Sequence, residues 1–117
     1  MEAGAFHDFA IGLPGATFDV KWGQDRIYSV GGKMFAAAGS VGQDRPLYSF
    51  KASDMAFELL VEQGLARPAP YAARFKWVQL LANDSLTEDE LKAYVVQAHG
   101  LIAEALPKKA RAALRLA

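Results

Sequence analysis

The sequence has 117 residues, of which 52% are hydrophobic and 22% are charged. This composition is typical of one globular domain and excludes a disordered or fibrous chain. Thirteen basic residues balance thirteen acidic ones, and the zero net charge excludes a histone-like polycation. The absence of cysteine excludes disulfide frameworks, thiolate nucleophiles and cysteine-ligated zinc or iron–sulfur centres.

We find no targeting signal in the sequence, which favours a cytoplasmic protein that does not contact a membrane. No apolar run approaches the roughly 20 residues that a membrane-spanning helix needs. Residues 1–5 lack the basic and long apolar regions of a signal peptide. We expect a single domain over residues 1–117, with an ordered core over about 6–111 and a basic C-terminal tail over 108–117.

The first half of the chain predicts a short helix followed by four strands. Apolar residues at i, i+3, i+4 and i+7 predict a helix over 6–13, which Pro14-Gly15 ends. A period of two then predicts a strand over 17–22, followed by a turn over 23–25. The next two strands, 26–30 and 33–38, flank Gly31-Gly32, a pair that favours a tight hairpin because its turn needs positive φ. A polar loop over 39–46 leads to a fourth strand over 47–51.

The second half predicts a helix, a strand and one or two closing helices. Ser53 is a good N-cap for a helix that ends near residue 63, before Gly64. Two prolines exclude a regular helix or a central strand over 67–71, and a fifth strand is predicted over 75–81. Thr87 and Glu90 form a capping-box pattern before a long amphipathic helix that Pro107 ends. Because hairpin-length connections pair strands antiparallel, we predict an α+β fold, an antiparallel sheet with helices packed on one face.

No catalytic or metal-binding constellation is visible, so we expect a non-enzymatic protein without a cofactor. His7 and His99 lie far apart and lack further ligands, which favours structural or surface roles. Residues 39–42 (GSVG) lack the lysine and the strand–loop–helix context of a phosphate-binding loop. Three carboxylates at i, i+4 and i+8 on the predicted second helix are more typical of a solvated face than of a cation site or a nucleic-acid mimic: Asp54, Glu58 and Glu62.

Basic residues are concentrated in the second half of the chain. From residue 67 onward there are eight basic and five acidic residues, and the stretch after Pro107 has four basic residues without a side-chain carboxylate. Phosphate binding requires cations on one surface, and single-stranded bases stack on exposed rings. The candidate nucleic-acid-binding residues are Lys51, Tyr71, Arg74, Lys76, Lys108, Lys109 and Arg111. In the alternative interpretation, Lys76 is the solvent side of a strand from which Trp77 packs inward, and the tail aids solubility.

Several short motifs occur in a family's order along nearly the whole chain. They are LPGA at 13–16, GGKMFA at 31–36, Lys51 with Asp54, Ala56, Glu58 and Leu59, PY at 70–71, KWV at 76–78 and LPKK at 106–109. The ordered set resembles the MmcQ/YjbR family over about 6–111. This resemblance implies a small bacterial domain with a CyaY/frataxin-like fold and a DNA-binding role through a double-wing arrangement.

Two departures limit what the resemblance implies. The family commonly has Ser-Tyr in its long C-terminal helix, where this chain has Ala98-His99. Frataxins bind iron through a carboxylate-rich first helix and strand, and here that stretch has only Asp8 and Asp19, so iron delivery is disfavoured.

The sequence therefore favours a DNA-binding protein that makes weak, largely sequence-independent phosphate contacts. Zero net charge indicates an affinity in the non-specific range, roughly micromolar or weaker. One alternative is a protein-interaction module of unknown partner that uses the sheet face or an uncovered edge strand. Another is a small-molecule site or enzyme, which would need a concave pocket near Tyr71, Trp77 and His99.

Overall fold

One antiparallel sheet of six strands organises the part of the chain that the computed structural model describes, residues 1–21, 25–39, 45–70 and 72–116. The strands are β1 (Ala16–Lys21), β2 (Asp25–Val30), β3 (Lys33–Ala38), β4 (Tyr48–Lys51), β5 (Ala66–Pro68) and β6 (Trp77–Leu80). They lie in the order β1-β2-β3-β4-β6-β5, and each neighbouring pair is antiparallel. The helices are α1 (Ala3–Ile11), α2 (Asp54–Glu62), α3 (Glu88–Ala105) and α4 (Lys108–Ala113), with a 3-10 turn at Ala73–Phe75.

Helices α1, α2 and α3 bury one face of the sheet and form the hydrophobic core with it. Aromatic side chains dominate that core: the rings of Phe6 and Tyr48 are stacked at 4.1 Å, and Phe50 is stacked with Tyr94 at 5.7 Å. The capping signals act as expected, because Thr87 and Glu90 form the reciprocal capping box of α3 and Ser53 caps α2. The α+β fold with helices on one face is confirmed.

The β2–β3 turn is tight and is covered by the end of the long helix. Gly31 and Gly32 have φ values of 60° and 79°, which residues other than glycine rarely adopt. A Cβ atom on Gly31 would lie 2.5 Å from Cδ1 of Leu106, so the C-terminus of α3 packs directly on the turn. We call this the hairpin end of the sheet.

The structure differs from the sequence prediction at three elements. The stretch after Pro107 was predicted to be a basic tail, with a second closing helix left open; residues 108–113 form that helix, α4, whose following residue Leu114 packs near Gly15. β5 is a three-residue strand that contains Pro68, and it is possible only because β5 lies at the sheet edge. Helix α1 begins at Ala3, earlier than its apolar periodicity indicated.

Two expected loop features lie largely outside the described residues. Of the turn predicted over 23–25 only Asp25 is described, and it starts β2. The loop over 39–42 is described only at Gly39. Within the described ranges, none of the helices has both the length and the apolar character that crossing a membrane requires.

Candidate functional site

Basic side chains gather at the hairpin end of the sheet. Lys33 begins β3 beside the turn, Lys51 ends the neighbouring β4, and Lys76 immediately precedes β6, the next strand across. Helix α4 starts two residues after Leu106, which itself covers the turn. We call this set the basic end: Lys33, Lys51, Arg74, Lys76, Lys108, Lys109 and Arg111.

Few carboxylates lie near the basic end, whereas the opposite end of the molecule is acidic. Asp54 in the first turn of α2 and Glu104 in the last turn of α3 border the basic end, and Glu58 and Glu62 continue from Asp54 along α2 away from it. The first turn of α3 and the adjoining cleft, which Arg45 also lines, hold the acids of the opposite end: Glu2, Asp84, Glu88, Asp89 and Glu90. Those in the first turn of α3 favour the helix because they complement its dipole.

The two charged ends are far enough apart to act independently in physiological salt. Helix α3 has 18 residues and runs from the acidic end to the basic end, a span of about 27 Å at the usual rise per residue. Exposed charges are screened over about 8 Å at physiological ionic strength. Zero net charge is therefore compatible with a positive potential at the basic end.

Three of the candidate residues lie together where β4 meets β6. The Lys51 ammonium group donates a hydrogen bond to the carbonyl oxygen of Phe75. The guanidinium of Arg74 lies 4.7 Å from the centre of the Phe75 ring, and the ammonium of Lys76 lies 4.9 Å from the Phe57 ring. Lys51 and Lys76 are half-buried and Arg74 is exposed, so Arg74 is the most accessible cation of the three.

The other candidates divide between α4 and a position outside the described residues. Lys108 and Lys109 are exposed in the first turn of α4. Arg111 is half-buried and has an interaction partner, so it is not a free cation. Tyr71, the predicted stacking residue, lies outside the described residues.

Trp77 is buried, but not in the core between sheet and helices. The sequence interpretation placed it inward, with Lys76 on the solvent side of the same strand. Instead Lys76 has a left-handed φ of 63° and precedes β6, and Trp77 pairs with Lys51 on the sheet face opposite α1, α2 and α3. Only 7% of Trp77 is exposed, because residues 69–70 and 72–75 lie beside it. We call this sheet face the open face.

A groove of about 750 Å³ runs along the open face. Its floor and walls include Met34, Ala37, Ser49, Phe75, Trp77 and Gln79. The backbone N–H of Ala69 donates to the Trp77 carbonyl oxygen at 2.9 Å, which fixes the chain around Ala69 against β6. Sequence reasoning missed the groove, although Ser49 and Gln79, each between two apolar neighbours, signal a face that points away from the core.

Both histidines are hydrogen-bonded within the fold and lie away from the groove. The Nε2–H of buried His99 donates to the Pro14 carbonyl oxygen at 2.7 Å, and the ring meets Phe35 edge-on in the core. His7 hydrogen-bonds the Tyr28 hydroxyl through Nδ1 at 3.0 Å. The small-molecule alternative would need a pocket near Tyr71, Trp77 and His99. The groove is lined by Trp77 but not by His99, because the sheet separates these two side chains, and Tyr71 lies outside the described residues. Among the described residues, no three His, Asp or Glu side chains are placed to share a metal ion.

The fold defines a small α+β protein with one helix-covered sheet face and one open face. The family model described as YjbR matches residues 11–101, and the chain belongs to that family. The predicted resemblance is thus confirmed.

A solved structure shares the whole architecture. The crystal structure of Deinococcus radiodurans protein DR2400, with a DUF419 domain, superposes with a TM-score of 0.86 at 18% identity. The match covers 99% of this chain and 89% of that chain. At this identity the likeness establishes the fold. No curated protein matches the chain.

Proposed function

We propose that this chain is a non-enzymatic DNA-binding protein that contacts phosphates through the basic end. The observation that carries the proposal is the separation of charge: the cations share the hairpin end, and the acids in the first turn of α3 lie about 27 Å away along that helix. The carboxylates of α2, Asp54, Glu58 and Glu62, meet the hairpin end only at Asp54. A phosphate backbone presents closely spaced negative charge that such a surface attracts.

The accessible cations set the expected strength of binding. Four of them are exposed: Lys33, Arg74, Lys108 and Lys109. Lys51 and Lys76 are half-buried, so their ammonium groups contribute less to a phosphate contact. With about four phosphates neutralised, the slope of log K against log salt is roughly −3 to −4, and the affinity lies in the non-specific range of about 10⁻⁴ to 10⁻⁶ M.

The contacts would fix the protein on DNA without distinguishing sequences. Lysine and arginine side chains that meet phosphate oxygens carry no base information. Direct readout would require side chains in the grooves, and the basic end offers long flexible cations rather than a recognition helix with planar amide groups.

Fluorescence anisotropy of a labelled DNA duplex over a salt series tests the proposal. We expect binding at low salt, a linear loss of log K with log salt, and equal affinity for unrelated sequences. An unchanged anisotropy at the lowest salt, or an affinity that does not respond to salt, would overturn it.

A further inference from the structure

We propose that the groove on the open face holds an unpaired base of single-stranded DNA. This inference rests on the proposed DNA binding and names the form of DNA that the protein prefers. It follows from the shape of the groove, from the polar groups on its floor and from the cations on its rim.

The shape of the groove suits a flat ring. Its volume of about 750 Å³ lies within the range of small-ligand sites, and its walls are mainly aromatic and aliphatic. Phe75, which is 54% exposed, forms one wall, and Trp77 lies behind it in β6. Exposed aromatic rings of this kind are the platforms on which single-stranded bases stack.

The floor of the groove provides hydrogen-bonding groups for the edge of a base. Ser49 and Gln79 are register partners on β4 and β6, so their side chains lie next to each other. The guanidinium of Arg67 holds the Gln79 side-chain oxygen through Nε at 2.9 Å and Nη2 at 2.6 Å. This pair of bonds fixes the Gln79 amide within the groove.

The charge around the groove favours a ligand that carries a phosphate. Three cations each adjoin a lining residue: Lys51 pairs with Trp77, Arg67 binds Gln79 and Arg74 lies over Phe75. The carboxylate among the described lining residues, Asp25, lies at the start of β2, at the opposite end of the sheet from Lys51. An apolar peptide or a lipid chain would leave these cations without a counter-charge.

The rim of the groove continues into the basic end. Lys51 and Arg74 belong to the basic end and both contact Phe75, the wall of the groove. One DNA strand can therefore place a base in the groove and its neighbouring phosphates along the hairpin end. A paired base is stacked within a duplex and cannot enter the groove without leaving its helix. The preferred ligand is therefore single-stranded.

Anisotropy titrations with three probes of equal length test the proposal: an oligothymidylate, the same backbone without bases, and a duplex. We expect the wild-type protein to bind the oligothymidylate most tightly at equal salt. Phe75→Ala should weaken that complex about five-fold or more, to the level of the abasic strand, because a stacked base is lost. Phe18→Ala is the matched control, since Phe18 is 46% exposed and lies on the helix-covered face.

The outcomes separate this inference from the proposed function. Salt-dependent binding that neither the missing bases nor Phe75→Ala weakens would overturn the base site and leave phosphate binding intact. A loss of the same size in Phe18→Ala would also overturn it, because the effect would then come from folding. Binding of none of the three probes at low salt would overturn the proposed function and this inference together.

Discussion

Lys51 and Trp77 are register partners across β4 and β6, and both belong to the open face of the sheet. The Lys51 ammonium group reaches past Trp77 to the carbonyl oxygen of Phe75. One side chain thus connects the basic end with the wall of the groove. This arrangement is the reason for treating the two surfaces as parts of one proposed interface.

The packing of Leu106 on the β2–β3 turn predicts unequal effects of two neighbouring substitutions. Gly32→Ala should lower the free energy of unfolding by about 1–2 kcal/mol, the usual cost of a side chain in the left-handed region. Gly31→Ala should cost about 1–3 kcal/mol more, because its Cβ would meet the Leu106 side chain at 2.5 Å. Urea denaturation measures both values. Equal losses would show that Leu106 does not pack tightly on the turn.

The hydrogen bond from His99 to Pro14 predicts a structural role for the histidine. His99→Phe keeps a ring against Phe35 but leaves the Pro14 carbonyl oxygen without its donor, so we expect a loss of about 1–2 kcal/mol. Gln97→Ala, an exposed position on the same helix, should change stability by less than about 0.5 kcal/mol. A stability of His99→Phe equal to that of the wild type would contradict the assigned role.

Tyr48 predicts a loss of stability in alkaline solution. Burial raises the pKa of Tyr48 to about 12 from its ordinary value of 10.0, and its hydroxyl donates to the Met1 carbonyl oxygen. Above pH 10 the unfolded chain releases this proton while the folded chain keeps it, so stability falls as pH rises from about 10 to 12. At pH 11 the titration of Tyr48 lowers the free energy of unfolding by about 1 kcal/mol relative to neutral pH.

Urea denaturation between pH 8 and pH 11 tests the Tyr48 prediction. Tyr48→Phe should show a weaker decline over this interval than the wild type. Some decline should remain, because burial also raises the pKa of Tyr28. Identical pH dependences of the two proteins would contradict the assignment to Tyr48.

Local signals in the sequence were sufficient to predict most of the helices and strands. Gly31-Gly32 indicated the hairpin because its backbone requirement is nearly unique to glycine. Thr87 with Glu90 located the start of α3 because a capping box is a local hydrogen-bonding unit. The sequence left open whether a second closing helix forms, because the six residues of α4 make less than two turns and carry no cap signal. The order of α4 comes from tertiary packing near Gly15.

The open face could be predicted only in part. Alternation across 75–81 assumes a strand from its first residue, but the left-handed Lys76 delays the strand until Trp77. The groove also needs the segment before β6 to fold back beside the sheet, which is a non-local arrangement without a sequence signature. The candidate cations were chosen from the sequence and their role stays a prediction; their common position at the hairpin end follows from strand order.

Neutralising the first turn of α4 tests the central claim most directly. We compare Lys108→Gln/Lys109→Gln with Lys21→Gln/Lys92→Gln, which removes the same charge from positions outside the basic end. The first pair should reduce the slope of log K against log salt by about 2 for duplex DNA and weaken binding at low salt. The control pair should retain the wild-type slope. Equal losses in both pairs, or no loss in the first, would contradict phosphate binding at the basic end.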